Sequence, residues 1–260
     1  MATNLAFWDE LCGSRAARQL GVTDASPTSL ATFDRWFFGF YPYLARHISF
    51  ERLRGKRVLE VGLGYSSVSQ RLAESDAIYS GLDIAMGPVE MVRHRLRQIG
   101  VSCDVRQGSV LECPWPDGSF DHVVAIGCYH HTGDLARAIA ETRRVLRPGG
   151  GATIMVYSAY SWRRWRRWPG ATARALVAEL RGHAAEATTA AQRAAYDRNT
   201  KGEAAPETVF TSARALRRMM ADWSHVRITR ENMDGGRIPR RWLLPIGRLV
   251  GLDLYITARR

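Results

Sequence analysis

The apolar positions of this chain fall into short, nearly continuous runs that alternate with stripes of helical spacing. Val58, Leu59 and Val61 form the first run, read as a strand buried on both faces. Gly62 and Gly64 follow, spaced by one, and let the backbone turn tightly and approach a ligand closely. Ser66 and Ser67 come next as candidate caps of a helix that carries Val68 and Leu72 toward a core. Ala77 to Leu82 reads as a second strand ending at Asp83, and Pro88 suits the first turn of a helix striped by Val89, Val92, Leu96 and Ile99 and stopped by Gly100. Val101 to Arg106, Asp121 to Ile126 and Ala152 to Tyr157 read as strands three to five. The helix of Leu135, Ile139, Thr142 and Val145 lies before the fifth and is closed by Arg147, Pro148, Gly149 and Gly150. A helix introduced by Thr211 and Ser212 and carrying Leu216, Met219 and Met220 precedes strands at Val226 to Arg230 and Leu252 to Ala258, with Arg240 and Arg241 in the connection. The alternation predicts an α/β protein whose seven-stranded sheet is mostly parallel, with helices on both faces and an antiparallel last strand.

Two stretches stand outside that rhythm. Residues 1–54 precede the first strand and read as helical: Phe7, Trp8 and Leu11 share a face, and Asp24, Ser26 and Pro27 mark a second start. The aromatic run from Phe33 to Tyr43, which includes Phe37 and Tyr41, is either a helix packed on the sheet or a lid over a ligand. Residues 55–260 then form the main domain, with a helical insertion after the fifth strand at about 158–208. It holds an alternating Trp/Arg cluster (Trp162, Arg163, Arg164, Trp165, Arg166, Arg167, Trp168), an alanine-rich stretch and a polar segment with Asp197, Asn199, Lys201, Glu203 and Glu207. The Trp/Arg cluster reads as a surface for bases or anionic lipid, or as a helix whose tryptophans pack inward.

Composition changes this picture little. The formal net charge is +12, yet only two of the 37 basic residues are lysine, a bias that arginine-favouring codons produce across a surface as readily as selection for an anionic partner does. The four cysteines form no C-x-x-C pair and show no His/Cys ligand spacing, so free thiols are expected and no metal. With no apolar run of membrane length and no basic leader before an apolar core, the expectation is a soluble, cytoplasmic protein.

The glycine turn carries the chemistry. A dinucleotide fingerprint needs a third glycine where Ser67 stands, and a Walker loop needs a Gly-Lys-Ser/Thr ending that is absent. What remains is Glu60 at the strand end, suited to a ligand with a cationic amine and no phosphate. Nineteen positions after Gly64, Asp83 offers two oxygens at the spacing of a vicinal diol, as on a ribose. At these residues the chain resembles the class I S-adenosylmethionine-dependent methyltransferases, whose first motif is apolar, apolar, Asp/Glu, x, Gly, x, Gly. The stretch from Gly108 through PWPDGSFD to Asp121 is similar to the pattern of small-molecule members, and RVLRPGG matches their R-x-L-x-P-G-G.

The resemblance implies a Rossmann-like fold and S-adenosylmethionine as cofactor, released as S-adenosylhomocysteine. It implies cofactor contacts from Glu60, Gly62, Gly64, Asp83, Ile84, Ser109, Val110 and Gly127, with Ser109 standing where the family commonly has an acid. His130 and His131 at the sheet's ligand edge are the first candidates for a general base, and Phe37, Tyr41, Tyr157 and Tyr160 are candidates for the acceptor site. The Asp/Asn-Pro-Pro-aromatic motif of nucleic-acid amino methyltransferases is replaced by Gly127-Cys128-Tyr129-His130. A small-molecule or natural-product acceptor, methylated on oxygen or nitrogen, is therefore expected. An RNA or other anionic polymer, a non-catalytic cofactor-binding scaffold and a homodimer stay open as alternatives.

Overall fold

The computed structural model describes residues 2–10, 12–183, 187–233 and 240–260, without the side chains of residues 2, 3, 240 and 241. Leu11 and the side chains of Arg240 and Arg241 thus lie outside the described residues.

The alternating runs do become one sheet. Its strands are β1 (Arg57–Val61), β2 (Ile78–Asp83), β3 (Asp104–Gln107), β4 (Phe120–Ile126), β5 (Leu146–Tyr157), β6 (Ser224–Glu231) and β7 (Asp253–Arg259). The order is β3-β2-β1-β4-β5-β7-β6, with β1 to β5 parallel and β7 antiparallel to both β5 and β6. The order reverses beside β1, so the carboxyl ends of β1 and β4 leave the crevice in which open α/β sheets take ligands. Successive side chains point to opposite faces. Leu59, Val61, Val123, Ala125, Ile154 and Val156 build one core layer, and Val58, Val124, Met155 and Tyr255 another.

Several local expectations change in the folded chain. The helix Leu135–Val145 stops before RPGG, because Leu146 already begins β5. Ile99 is 40% exposed and does not extend the buried stripe, since the helix Met86–Gln98 ends one residue earlier. Neither serine caps the helix Ser67–Glu74: Ser66 is left-handed (φ 67°) and makes no side-chain cap bond, while the Ser67 hydroxyl donates to Asp34 Oδ1 (2.5 Å). In the helix Trp162–Arg167 the inward residue is an arginine. Arg164 is buried with its guanidinium over the Phe210 ring (4.4 Å), whereas Trp162 is 42% exposed.

The helix Pro27–Phe40 packs both against the glycine turn and, through Phe37 and Phe38, against the core layer of Val58, Val124 and Met155. Phe33 stacks on Tyr65 (4.1 Å), and Asp34 reaches Arg95 of the helix Met86–Gln98, a residue with no exposed surface. Arg95 Nη1 and Nη2 donate to the two Asp34 oxygens (2.8 and 3.0 Å), and Nη1 also donates to Gln70 Oε1 (2.8 Å). The insertion leaves after β5 and returns beside it: Ser158 bridges to Thr211, and Thr211 N–H donates to the Tyr157 carbonyl (3.0 Å). Among the described residues no helix is long and apolar enough to cross a membrane.

Candidate active site

A cavity of about 360 Å³ opens at the carboxyl ends of β1, β2, β4 and β5, a size usual for small-molecule sites. The strand ends supply Glu60 to Gly64, Asp83, Ile84, Gly127 and Tyr157. The amino-terminal helices add Trp8, Trp36, Phe37 and Tyr41, and the insertion adds Asp197 and Glu207.

At the β1 end, Gly62 takes φ +79°, and a Cβ there would lie 2.4 Å from the Cβ of Cys128. The close approach that requires glycine is therefore to the turn after β4, which the Cys128 thiol fixes by donating to the Val61 carbonyl (3.0 Å). Asp83 Oδ2 accepts from Leu63 N–H (2.7 Å) and Oδ1 from Ala85 N–H (3.0 Å). A carboxylate has about four acceptor positions, so the two oxygens keep capacity toward the cavity. Burial pushes the Asp83 carboxyl up to about 6, against the pull of these backbone bonds. Glu60 is buried deeper. Its Oε2 accepts from Ser69 Oγ (2.6 Å) and Tyr79 OH (2.7 Å), and desolvation outweighs these bonds to push it up to about 7. The Ser66 hydroxyl is buried in the cavity wall with no partner. Ser109 and Val110 line the same cavity, and Ser109 Oγ accepts from Leu111 N–H (3.2 Å).

The other end is built where three segments meet on the turn Tyr129–His131. The His131 carbonyl accepts from Asn4 Nδ2 (2.8 Å) and the His130 carbonyl from Val209 N–H (2.8 Å). Glu10 joins the two covers, accepting from Thr200 N–H (2.9 Å) and Oγ1 (2.7 Å). His131 faces the cavity beneath the Trp8 ring (4.6 Å), while His130 lies behind it, 0% exposed and outside the cavity wall. Desolvation holds the His130 imidazole well below its ordinary value, so it is neutral. His131 Nδ1 sits 2.7 Å from the Glu207 carbonyl. A carbonyl only accepts, so Nδ1 carries the proton. Nε2 then faces Asp197 Oδ2 at 3.5 Å, and neither atom has a hydrogen-bond partner. Tyr157 OH donates to Asp197 Oδ1 (3.1 Å).

The structure thus gathers twelve of the fourteen residues singled out from sequence, His131 among them, in one cavity wall; His130 is not there, and among the acceptor candidates Phe37, Tyr41 and Tyr157 are while Tyr160 is not. Tyr160 instead donates to Glu179 Oε2 (2.5 Å) inside the insertion. Sequence reasoning missed Trp8 and Cys12 as cavity residues, met Trp36 only within the aromatic run offered as a lid, and gave Asp197 only a minor place. The aromatic density of the amino-terminal segment was the available signal for the tryptophans.

Comparison with known proteins fits this architecture. Residues 59–154 match a family described as methyltransferase domain. Over 99 residues the chain is 35% identical to 27-O-demethylrifamycin SV methyltransferase of Amycolatopsis mediterranei, covering 37% of this chain and 36% of that one. Over 100 residues it is 36% identical to a fatty-acid O-methyltransferase of Mycolicibacterium smegmatis, covering 38% and 36%. The matches therefore span little more than a third of these relatives' own length. A methyltransferase structure from Methanosarcina mazei superimposes with a TM-score of 0.57 at 17% identity, over 82% of this chain and 96% of that one.

Proposed function

We propose that the chain is a class I S-adenosylmethionine-dependent methyltransferase that methylates an oxygen or nitrogen of an apolar small molecule or natural product, a reading supported by the match of residues 59–154 to a methyltransferase domain. One observation carries the reading: a diol-accepting carboxylate, Asp83, and a glycine turn share a cavity with an aromatic wall and the polar pair His131 and Asp197. The residues suit the cofactor. Asp83 keeps free acceptor positions, the Ser66 hydroxyl is buried at the cavity without a partner, and the glycine turn presents the amino end of the helix Ser67–Glu74. When bound, S-adenosylmethionine supplies a methyl group on a sulfonium, an electrophile for in-line attack.

In this proposal Asp83 holds the ribose hydroxyls, the main chain from Gly62 to Gly64 lies along the amino-acid part, and Ser109 and Val110 flank the adenine. Trp8, Trp36, Phe37 and Tyr41 hold the apolar acceptor and exclude water, so that most of the acceleration comes from alignment. The proton of a hydroxyl acceptor leaves at the His131 and Asp197 end; an amine arriving unprotonated needs no base. His130 does not touch the acceptor in this scheme. Two of the relatives are named for rifamycin and fatty-acid substrates, which supports an apolar acceptor.

The test is calorimetric titration with S-adenosylmethionine and S-adenosylhomocysteine, for the wild type and Asp83→Ala, followed by an acceptor screen that reads S-adenosylhomocysteine release. Micromolar binding lost in the variant is expected. A wild type that binds neither compound, with or without candidate acceptors, refutes the proposal.

A further inference from the structure

The pair His131 and Asp197 is left incomplete. The Glu207 carbonyl takes the Nδ1 proton of His131, and Nε2 lies 3.5 Å from Asp197 Oδ2 in a buried place where neither atom has a hydrogen-bond partner. Both nitrogens of His130 lie beside them with no partner, its ring 4.1 Å from that of His131. One ligand atom from each of His130, His131 and Asp197 lies within 4.8 Å of the others.

We propose that these three residues bind a divalent transition-metal cation of the zinc type at the acceptor end of the cavity. Two neutral imidazoles and a carboxylate are the donor set that zinc takes, and three protein ligands leave a fourth position open, as in catalytic zinc sites. The 3.5 Å separation of His131 Nε2 and Asp197 Oδ2 is already close to the tetrahedral edge of about 3.4 Å that bonds of ~2.1 Å imply. The outer partners of such a site are present too: the Glu207 carbonyl fixes the His131 tautomer and Tyr157 OH orients Asp197.

The role of the cation, though not its binding, rests on the proposed transferase activity. An acceptor hydroxyl in the fourth position has its pKa lowered, so that its proton passes to water and the oxygen is left as the nucleophile. This makes Asp197, delivered by the insertion, the residue that completes the site once the insertion is folded over it.

Chelator-stripped full-length protein is titrated with zinc by calorimetry and with cobalt by visible absorption, for the wild type, His130→Leu, Asp197→Asn and Asp197→Cys. One equivalent per chain is expected, with the intense cobalt bands of four-coordination. Loss of a ligand in His130→Leu or Asp197→Asn weakens binding by about a hundredfold, at or above the effect of losing an outer-shell partner. Asp197→Cys restores binding, because a thiolate replaces the ligand, and this separates ligation from a folding defect. No uptake by the wild type, equal uptake by all four proteins, or a metal-free protein in which nitrogen NMR finds both His131 nitrogens protonated in a plain ion pair with Asp197 overturns the proposal. S-adenosylhomocysteine binding is read in the same samples: its absence from the wild type counts against the transferase reading and leaves the metal result standing.

Discussion

Asp34→Ala is the perturbation whose size the structure specifies best. Arg95 is wholly buried and holds two bonds to Asp34 and one to Gln70. Removing Asp34 strands a guanidinium in the interior with a single neutral partner, and breaking a buried pair from one side costs about 3–5 kcal/mol. Arg95→Met is different in kind. It removes the buried charge and fills the volume, and Asp34 keeps its bond from Ser67 and part of its exposure to water, so a cost below about 2 kcal/mol is expected. The double variant should resemble Arg95→Met, so the coupling energy should equal nearly the whole cost of Asp34→Ala, about 3–5 kcal/mol. Urea unfolding of the four proteins measures this. At about 2–4 °C per kcal/mol for a chain of this size, Asp34→Ala should melt roughly 6–20 °C lower than the wild type. Equal, mild and additive losses in the two single variants would refute the reasoning, because they would mean that the guanidinium finds water or another partner when Asp34 is gone.

If, as proposed, the ribose hydroxyls donate to ionised Asp83, cofactor affinity should fall as pH drops through about 6, by about tenfold per unit below it; Asp83→Asn should bind weakly and without that dependence in a calorimetric pH series. On folding alone the sign is opposite: an acid whose folded-state pKa is raised favours the fold when protonated, so its burial costs stability increasingly from about pH 4 to about 6 and fully above that. Gly62→Ala adds a left-handed strain of about 1–2 kcal/mol to a clash with Cys128 of about 1–3, and Cys128→Gly in the same chain should recover only the second part in thermal melts. Tyr157→Phe removes one hydroxyl bond to Asp197 while leaving the ring against Tyr196 and Phe210, so stability should change by only about 0.5–1.5 kcal/mol while zinc affinity drops about tenfold.

What could be read from sequence was whatever a few adjacent residues decide. Glu60, Gly62 and Gly64 announce a strand and a turn because their conformational demands are local, and a mostly parallel sheet follows from the alternation of strands and helices. Arg95 could not be read, since its place beside Val92 and Leu96 looks like a solvated helix flank until Asp34 arrives from 61 positions away. The serine caps failed for the same reason: Ser67 is claimed by Asp34 and Ser66 by a left-handed turn. Asp197 gains its meaning only when a returning segment brings it to Tyr157 and His131. No spacing in the chain links those three, so a cysteine-and-histidine count gave no hint of a metal.

The bridge between Ser158 and Thr211 makes the insertion a closed excursion whose two ends sit at one point of the sheet. Because closing such a loop costs only about 0.6 kcal/mol more for each doubling of its length, segments of very different size can be exchanged there without disturbing the strands. On the proposed function, the part of acceptor handling that Asp197 and Glu207 supply would be modular, carried by a cassette replaceable as a unit while the amino-terminal aromatics, Asp83 and the glycine turn stay in place. A chimera that joins this sheet to another chain's segment at these two residues would then test how much of acceptor choice the insertion carries.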